Sequence, residues 1–180
     1  MTIEPNFWYG KKVVVTGHTG FKGSWLSILL HRLGAYVYGV SLPNESPDHI
    51  YNAANVDDLV DTHILDINDE NAINAFFETV SADVVIHMAA QPIVKKSYTD
   101  PLETIDTNVL GTTKVVLAAA RSLAVKSMIV VTSDKCYENI GKIDGYVESD
   151  AMGGRDPYSA SKGACEIITK SLALSCLGGT

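Results

Sequence analysis

Three consecutive valines, Val13 to Val15, stop at a stretch punctuated by Gly17, Gly20 and Gly23, and from Phe21 the apolar spacing becomes helical. That change predicts a strand, a tight turn and a helix whose apolar face carries Phe21, Trp25, Ile28, Leu29 and Leu33, closed by Gly34 at C′. The rhythm recurs. Apolar runs at 35–42, 63–67, 83–90 and 126–132 read as four more strands, the third ending at Asp66. Helical spacing across 69–80 places Ala72, Ile73, Phe76, Phe77 and Val80 on one face, with Asn68 or Asp69 as N-cap. Two further helices are expected over 101–123, with Pro101 near the start, and over 157–174. Residues 43–55 and 136–156 read as loops, and 1–10 as a lead-in arm whose Phe7, Trp8 and Tyr9 cover one end.

Strands alternating with helices predict an α/β fold, a doubly wound, Rossmann-like parallel sheet of order 3-2-1-4-5 with right-handed crossovers. It forms one dinucleotide-binding domain over 11–174, with a tail at 175–180. In such a sheet ligands bind at the carboxyl ends of strands one and four. The glycine turn sits at one of those ends. A backbone that lets a phosphate approach its N–H groups has no room for Cβ, and a helix N-terminus favours an anion. The same glycines also suit an ordinary strand-to-helix turn.

Other strand ends carry unusual residues. Ala89 and Ala90 would let a cofactor lie against the end of strand four, or are simply tight packing. Thr132, Ser133, Asp134 and Lys135 follow strand five, a set poorly suited to a core and tolerable in a solvated loop. Tyr158 and Lys162, spaced i,i+4, share one helix face. A free tyrosine is too weak a base at neutral pH, but a neighbouring ammonium favours the phenolate form. Following the fifth strand, the pair would overhang the crevice.

Composition narrows the classes. The 180 residues are 46% hydrophobic and 19% charged, which fits one ordered domain. A formal net charge of −7 argues against a nucleic-acid partner. Cys136, Cys165 and Cys176 lack metal or redox spacing and read as reduced thiols of a cytoplasmic protein. Neither a basic-then-apolar leader nor a membrane-spanning apolar run is present in the sequence.

Taken together, Thr16 to Gly23, Ala89-Ala90, Asn108 with Gly111-Thr112, Thr132-Ser133 and Tyr158-x-x-x-Lys162 resemble the extended short-chain dehydrogenase/reductase family over about residues 10 to 172. Gly23-Ser24-Trp25, His87 to Pro92, Thr132 to Asn139 and Asp156 to Lys162 resemble its nucleotide-sugar 4,6-dehydratases. Asp134-Lys135, where dTDP-sugar members carry Asp-Glu, favours the branch acting on CDP-glucose.

The resemblance implies bound NAD, held by Gly17, Thr19, Gly20, Phe21, Gly23, Ser41, Asp66, Ile67, Ala89, Ala90, Gln91, Asn108, Thr132, Tyr158 and Lys162. It implies catalysis by Tyr158 on the sugar 4-hydroxyl proton, with Thr132 holding that hydroxyl and Lys162 holding Tyr158 and the nicotinamide ribose. Lys135 as base and Asp134 as acid would then eliminate water, which requires a desolvated site. A homodimer through a four-helix interface is also implied, with Leu110, Val115, Leu117, Ile168 and Leu172 as the apolar seam.

Two departures matter. Ser41, followed by Leu42 and Pro43, stands where an acidic residue normally meets the adenosine ribose, and no Arg replaces it, so NAD is favoured over NADP. The family also continues into a substrate domain, whereas 175–180 reads as a truncated ending. The rival readings are an NAD-binding fragment without turnover and a nucleotide-sugar epimerase or reductase that uses Tyr158 and Lys162 alone.

Overall fold

Strand β1 (Lys12–Thr16) lies at the centre of the sheet, and Val13, Val14 and Val15 are each 0% exposed because helices cover both faces. The computed structural model describes residues 6–44 and 46–175. The start of the lead-in arm, Cys176 and the tail at 176–180 lie outside the described residues. The other strands are β2 (Tyr36–Ser41), β3 (Asp61–Ile64), β4 (Val84–His87) and β5 (Ser127–Val130). All pairings are parallel and the order is β3-β2-β1-β4-β5, as the alternation predicts.

Side-chain alternation along the strands divides the core in two. Val14, Val40 and Val85 meet Ile73, Phe76 and Phe77 of α3 (Glu70–Thr79) and Val115 of α6 (Thr112–Arg121). Val13, Val15, Val37, Val84 and Ile86 face α1 (Phe21–Arg32), which contributes Leu30. Each such side chain removed from water stabilises the fold by about 1.5–3 kcal/mol before entropy is subtracted. The expected α3 face is the buried one, and Asp69 is its N-cap, accepting from Ala72 N at 3.0 Å.

The first helix differs from the expectation. Phe21, Trp25 and Leu29 are exposed, and the buried residues are Gly23, Ser24, Ser27 and Leu30. The reason is close approach. A Cβ on Gly23 would stand 2.1 Å from Gly17 O, so the helix presents its small face to the turn. Ser24 Oγ then bonds both His18 O (3.0 Å) and Gly20 O (2.9 Å). The predicted C′ glycine, Gly34, has φ +82°, and Gly34 N–H donates to His31 O at 3.0 Å.

Other boundaries shift. Strand β3 begins two residues early and ends at Ile64, so Asp66 and Ile67 lie beyond it. Strand β4 stops at His87, because β1 stops at Thr16 and Gly17 turns against Ala89. The 43–55 loop contains a short helix, α2 (Ile50–Ala53), capped by His49. A further unexpected helix, α4 (Val94–Thr99), precedes the 101–123 segment. That segment is α5 (Pro101–Ile105), a π turn (Asp106–Gly111) and α6, with Pro101 at the N-terminus as expected. The last helix, α7, runs Pro157–Ser175. Val115 leaves the expected dimer seam, being fully buried against the sheet, whereas Leu110 is 48% exposed. Among the described residues, no helix is long and apolar enough to cross a membrane.

The contact between Gly23 and Gly17 O is backbone to backbone and has no flexible atom to yield. Gly23→Ala is therefore expected to destabilise the domain by about 3 kcal/mol. Gly20→Ala, whose Cβ would meet only Gly17 O at 3.2 Å, should cost less than about 1 kcal/mol. Urea unfolding of both variants checks this, and equal midpoints would overturn the packing account.

Candidate active site

The turn after β1 opens a crevice of about 600 Å³ along the carboxyl ends of the strands. Gly17 adopts φ +74°, its N–H donates to Val40 O at 2.7 Å, and a Cβ there would lie 2.8 Å from Ala89 N. The turn is thus pressed on the exit of β4. Helix α1 starts at Gly20 with no side-chain cap, the arrangement that leaves first-turn N–H groups for an anion. His18, fully buried, occupies the room left by Gly39, whose Cβ would come within 2.4 Å of its ring. Burial pulls its pKa down and keeps the imidazole neutral.

Beneath the crevice a hydrogen-bond chain joins β1, β4 and α6. Thr16 Oγ1 accepts from Met88 N (3.0 Å) and Ala89 N (3.1 Å), and contacts His87 Nδ1 at 2.7 Å. With both lone pairs used, the Thr16 hydroxyl donates to Nδ1, so His87 carries its proton on Nε2 and donates to Thr112 Oγ1 at 2.9 Å. Burial, with a smaller contribution from the charge of Lys162, lowers the His87 pKa to about 3.

A second buried set ties β4 to α7. Asn108, in the π turn, accepts from Gln91 N (2.8 Å) and donates to Gln91 O (3.1 Å) and Ser161 Oγ (2.9 Å). Ser161 Oγ donates to Tyr158 O at 2.7 Å, and Cys165 Sγ donates to Asn108 O at 2.9 Å. Asn108 is 0% exposed. A π turn widens the helix locally and recurs at functional sites. Here it turns an amide inward to hold α7.

Tyr158 and Lys162 form one wall of the crevice, both buried, with Lys162 Nζ 6.0 Å from the Tyr158 ring centroid. Burial holds Lys162 below the ordinary lysine range, Cys165 opposes, and the field of Lys22 adds to the lowering. Thr132 stands nearby in the lining, and its hydroxyl donates to Glu166, one turn beyond Lys162. What Thr132 Oγ1 keeps for a ligand is an acceptor lone pair. Asp134 and Lys135 lie in a single 3₁₀ turn, both exposed, with Asp134 Oδ1 accepting from Ser133 Oγ at 3.0 Å.

The lining brings together Gly17, Thr19, Gly20, Phe21, Gly23, Ser41, Asp66, Ile67, Ala89, Ala90, Thr132, Tyr158 and Lys162, thirteen of the residues expected from sequence. Gln91 and Asn108 are placed behind it as buried supports. Asp134 and Lys135 stand outside it. Sequence reasoning passed over Lys22 and Asn68 in the lining, and Glu166 behind Thr132. Glu166 had a signal: it continues the Tyr158–Lys162 spacing by one more i,i+4 step.

Known proteins share this sequence pattern and fold. The family described as GDP-mannose 4,6 dehydratase matches residues 14–175. CDP-glucose 4,6-dehydratase of Salmonella typhimurium is 43% identical over 169 residues, covering 94% of this chain and 47% of that protein. Human dTDP-D-glucose 4,6-dehydratase is 30% identical over 169 residues, covering 91% and 47%. Among solved structures, MoeE5 in complex with UDP-glucuronic acid and NAD superposes with a TM-score of 0.71 at 28% identity, covering 90% of this chain and 49% of that one. The chain spans about half the length of the curated relatives it matches.

The buried His87 makes a pH prediction. Its folded pKa, about 3, lies below the ordinary histidine value of 6.5, so the unfolded chain binds the extra proton between the two. Its contribution to stability is complete above about pH 6.5 and is lost as pH falls toward 3, by up to about 1.4 kcal/mol per pH unit. His87→Gln removes that titration. Its unfolding free energy should fall below wild type at pH 7, with the gap narrowing steadily toward pH 4. Urea titrations across that range check it, and a gap independent of pH would overturn the assignment.

Proposed function

The chain belongs to the GDP-mannose 4,6-dehydratase family, and on that premise we propose that it forms the dinucleotide-binding part of a cytoplasmic nucleotide-sugar 4,6-dehydratase acting on CDP-glucose, with NAD seated in the crevice. The observation that carries this reading is the Tyr158–Lys162 pair in the wall of the crevice that the glycine turn opens. The 43% identity to a CDP-glucose enzyme supports the choice of sugar nucleotide.

The residues present fit a dinucleotide. The bare backbone at Gly17, Gly20 and Gly23 leaves space that side chains would fill, and α1 offers uncapped N–H groups to a diphosphate. Thr19, Phe21, Ser41, Asp66, Ile67, Ala89 and Ala90 would surround the rest. When bound, NAD supplies the hydride acceptor and donor of an internal redox cycle. Tyr158 takes the proton of the sugar 4-hydroxyl as that carbon is oxidised. Lys162, buried beside it, would hold the Tyr158 oxygen and the nicotinamide ribose. Thr132 accepts a hydrogen bond from the sugar, its own proton being committed to Glu166. Lys135 removes the C5 proton, acidified by the new ketone, while Asp134 protonates the departing 6-hydroxyl. Both groups must lose water for this, so the site has to close around the sugar before elimination.

The exposure of Asp134 and Lys135 favours a second reading, in which the chain binds the dinucleotide without dehydrating a sugar, or serves an epimerase or reductase. The two readings separate experimentally. Complemented by the second half of the length its relatives have, the protein is expected to convert CDP-glucose to the 4-keto-6-deoxy sugar without net consumption of NAD. Tyr158→Phe should remove the initial oxidation, and Lys135→Ala should allow it but stall elimination. General acid–base groups contribute about 10²- to 10⁴-fold, so both effects are visible. An absorbance rise for reduced nicotinamide that persists in Lys135→Ala and is absent in Tyr158→Phe is the expected signature. The 180-residue chain alone should turn over poorly, because one wall cannot orient a sugar. Normal elimination by Lys135→Ala sinks the dehydratase assignment of that residue.

We also propose a homodimer through α5, α6 and α7. Leu102 and Ile105 on α5, Leu110 in the π turn leading into α6, and Ile167 on α7 expose apolar side chains. Sedimentation at micromolar concentration should return a dimer that Leu110→Glu dissociates. A monomer in both cases would reject the seam.

A further inference from the structure

Glu166 differs from the other polar residues of α7 in that no opposite charge offsets it. Its side chain is half-buried behind Thr132 and does not line the crevice. Among the described residues the carboxylate has no cation partner, and its one hydrogen bond comes from the Thr132 hydroxyl. The charge is felt locally: burial chiefly, with the field of Glu166 adding to it, raises the pKa of the Cys136 thiol. A carboxylate drawn partly out of water without a cation is costly, and a neutral side chain would avoid that cost. What the carboxylate does is fix a polarity. It offers lone pairs and no hydrogen, so the hydrogen between the two groups is Thr132's.

Thr132 lines the same crevice as Tyr158. A threonine hydroxyl has one hydrogen, and here it is held behind the wall, so lone pairs alone are left for a ligand. Thr132 therefore accepts and does not donate. The sugar 4-hydroxyl also has a single hydrogen, which passes to Tyr158 in the proposed oxidation. One hydrogen cannot serve both partners, so the group that donates to Thr132 is a different one. The carbons flanking C4 of glucose bear the 3-hydroxyl and the C6 arm, and the hydroxyl of that arm is the leaving group. That leaves the 3-hydroxyl.

We propose that Glu166 is a positioning residue that makes Thr132 an obligate acceptor, and that Thr132 takes its hydrogen bond from the sugar 3-hydroxyl while the 4-hydroxyl faces Tyr158. This rests on the nucleotide-sugar reading given above. It replaces the expectation, drawn from the family resemblance, that Thr132 holds the 4-hydroxyl. The feature that the crevice reads is then a pair of adjacent hydroxyls, each with its own acceptor.

The test uses the protein completed by the second half of its relatives' length, with NADH in place of NAD so that no hydride acceptor is present. Calorimetry compares CDP-glucose with its 3-deoxy-3-fluoro and 4-deoxy-4-fluoro analogues, because fluorine cannot donate a hydrogen bond. Wild type is expected to bind the 3-fluoro analogue at least about tenfold more weakly than CDP-glucose. Glu166→Ala and Glu166→Gln release the Thr132 hydrogen, which can then turn to the fluorine, and should bring that ratio below about threefold. Glu166→Gln keeps the size of the side chain, so the measurement stands even where Glu166→Ala fails to fold. Thr132→Ser should keep the wild-type ratio, and in a Thr132→Val background Glu166→Gln should change it no further. A merely structural role for Glu166 would weaken all ligands alike and leave the ratio unmoved, which overturns the inference. A wild-type ratio below about tenfold also overturns it, as does a penalty that depends on Glu166 for the 4-fluoro analogue instead of the 3-fluoro one. If CDP-glucose itself does not bind wild type, the nucleotide-sugar reading fails first and the inference falls with it.

Discussion

The structure depends on how closely two strand ends approach each other. Strands β1 and β4 stop in register at Thr16 and His87, and Gly17 then turns with its Cα against the backbone of Ala89. No side chain larger than hydrogen fits at Gly17, both for its positive φ and for that contact. Thr16 fastens the junction by accepting two backbone N–H groups from β4's exit, which forces its own proton onto His87. The crevice lies above this junction. Beneath it, Thr16, His87 and Thr112 satisfy one another's polar atoms.

The wall of the crevice formed by α7 is held from behind by a different device. Helix α7 carries Tyr158, Lys162 and Glu166 at successive i,i+4 positions, and Ser161 and Cys165 at the same spacing on the adjoining face. Ser161 and Cys165 are both bonded to Asn108, which also clamps the backbone of Gln91. One buried residue thus sets the distance between the exit of β4 and the helix bearing Tyr158 and Lys162. The π turn is what brings that amide inward, since a regular helix from Pro101 to Arg121 would rotate every residue after Ile105 differently.

Much of this was legible in the sequence, and the failures have specific causes. Strand order, a cap at Asn68 or Asp69 and the C′ glycine Gly34 follow from alternation, capping and glycine placement, whereas the set of crevice residues came from the family resemblance. The packed face of α1 was misread because Gly23, Ser24 and Ser27 carry no hydrophobic signal, yet small size is what lets that helix approach the turn. The π turn leaves the apolar spacing of its segment nearly unchanged, so periodicity cannot register it. Gln91 and Asn108 are polar residues near strand ends, and polarity alone does not distinguish a group that meets a ligand from one that supports the wall behind it.

The separation between crevice and loop has a mechanistic consequence. In the proposed reaction the redox pair would be Tyr158 and Lys162, which are already buried, so oxidation would need no further desolvation of those groups. The proposed elimination pair, Asp134 and Lys135, sits in a short exposed turn. A carboxylic acid and a neutral amine are costly to maintain in contact with water near neutral pH. The proposed oxidation and elimination would therefore place different demands on the surroundings: burial within this domain would meet the first, whereas the second would need water excluded from the loop. The order is chemically sensible, because a ketone at C4 must exist before the C5 proton becomes removable. In the proposed reaction, a site that completed its acid–base pair only around bound sugar would keep the two steps in sequence.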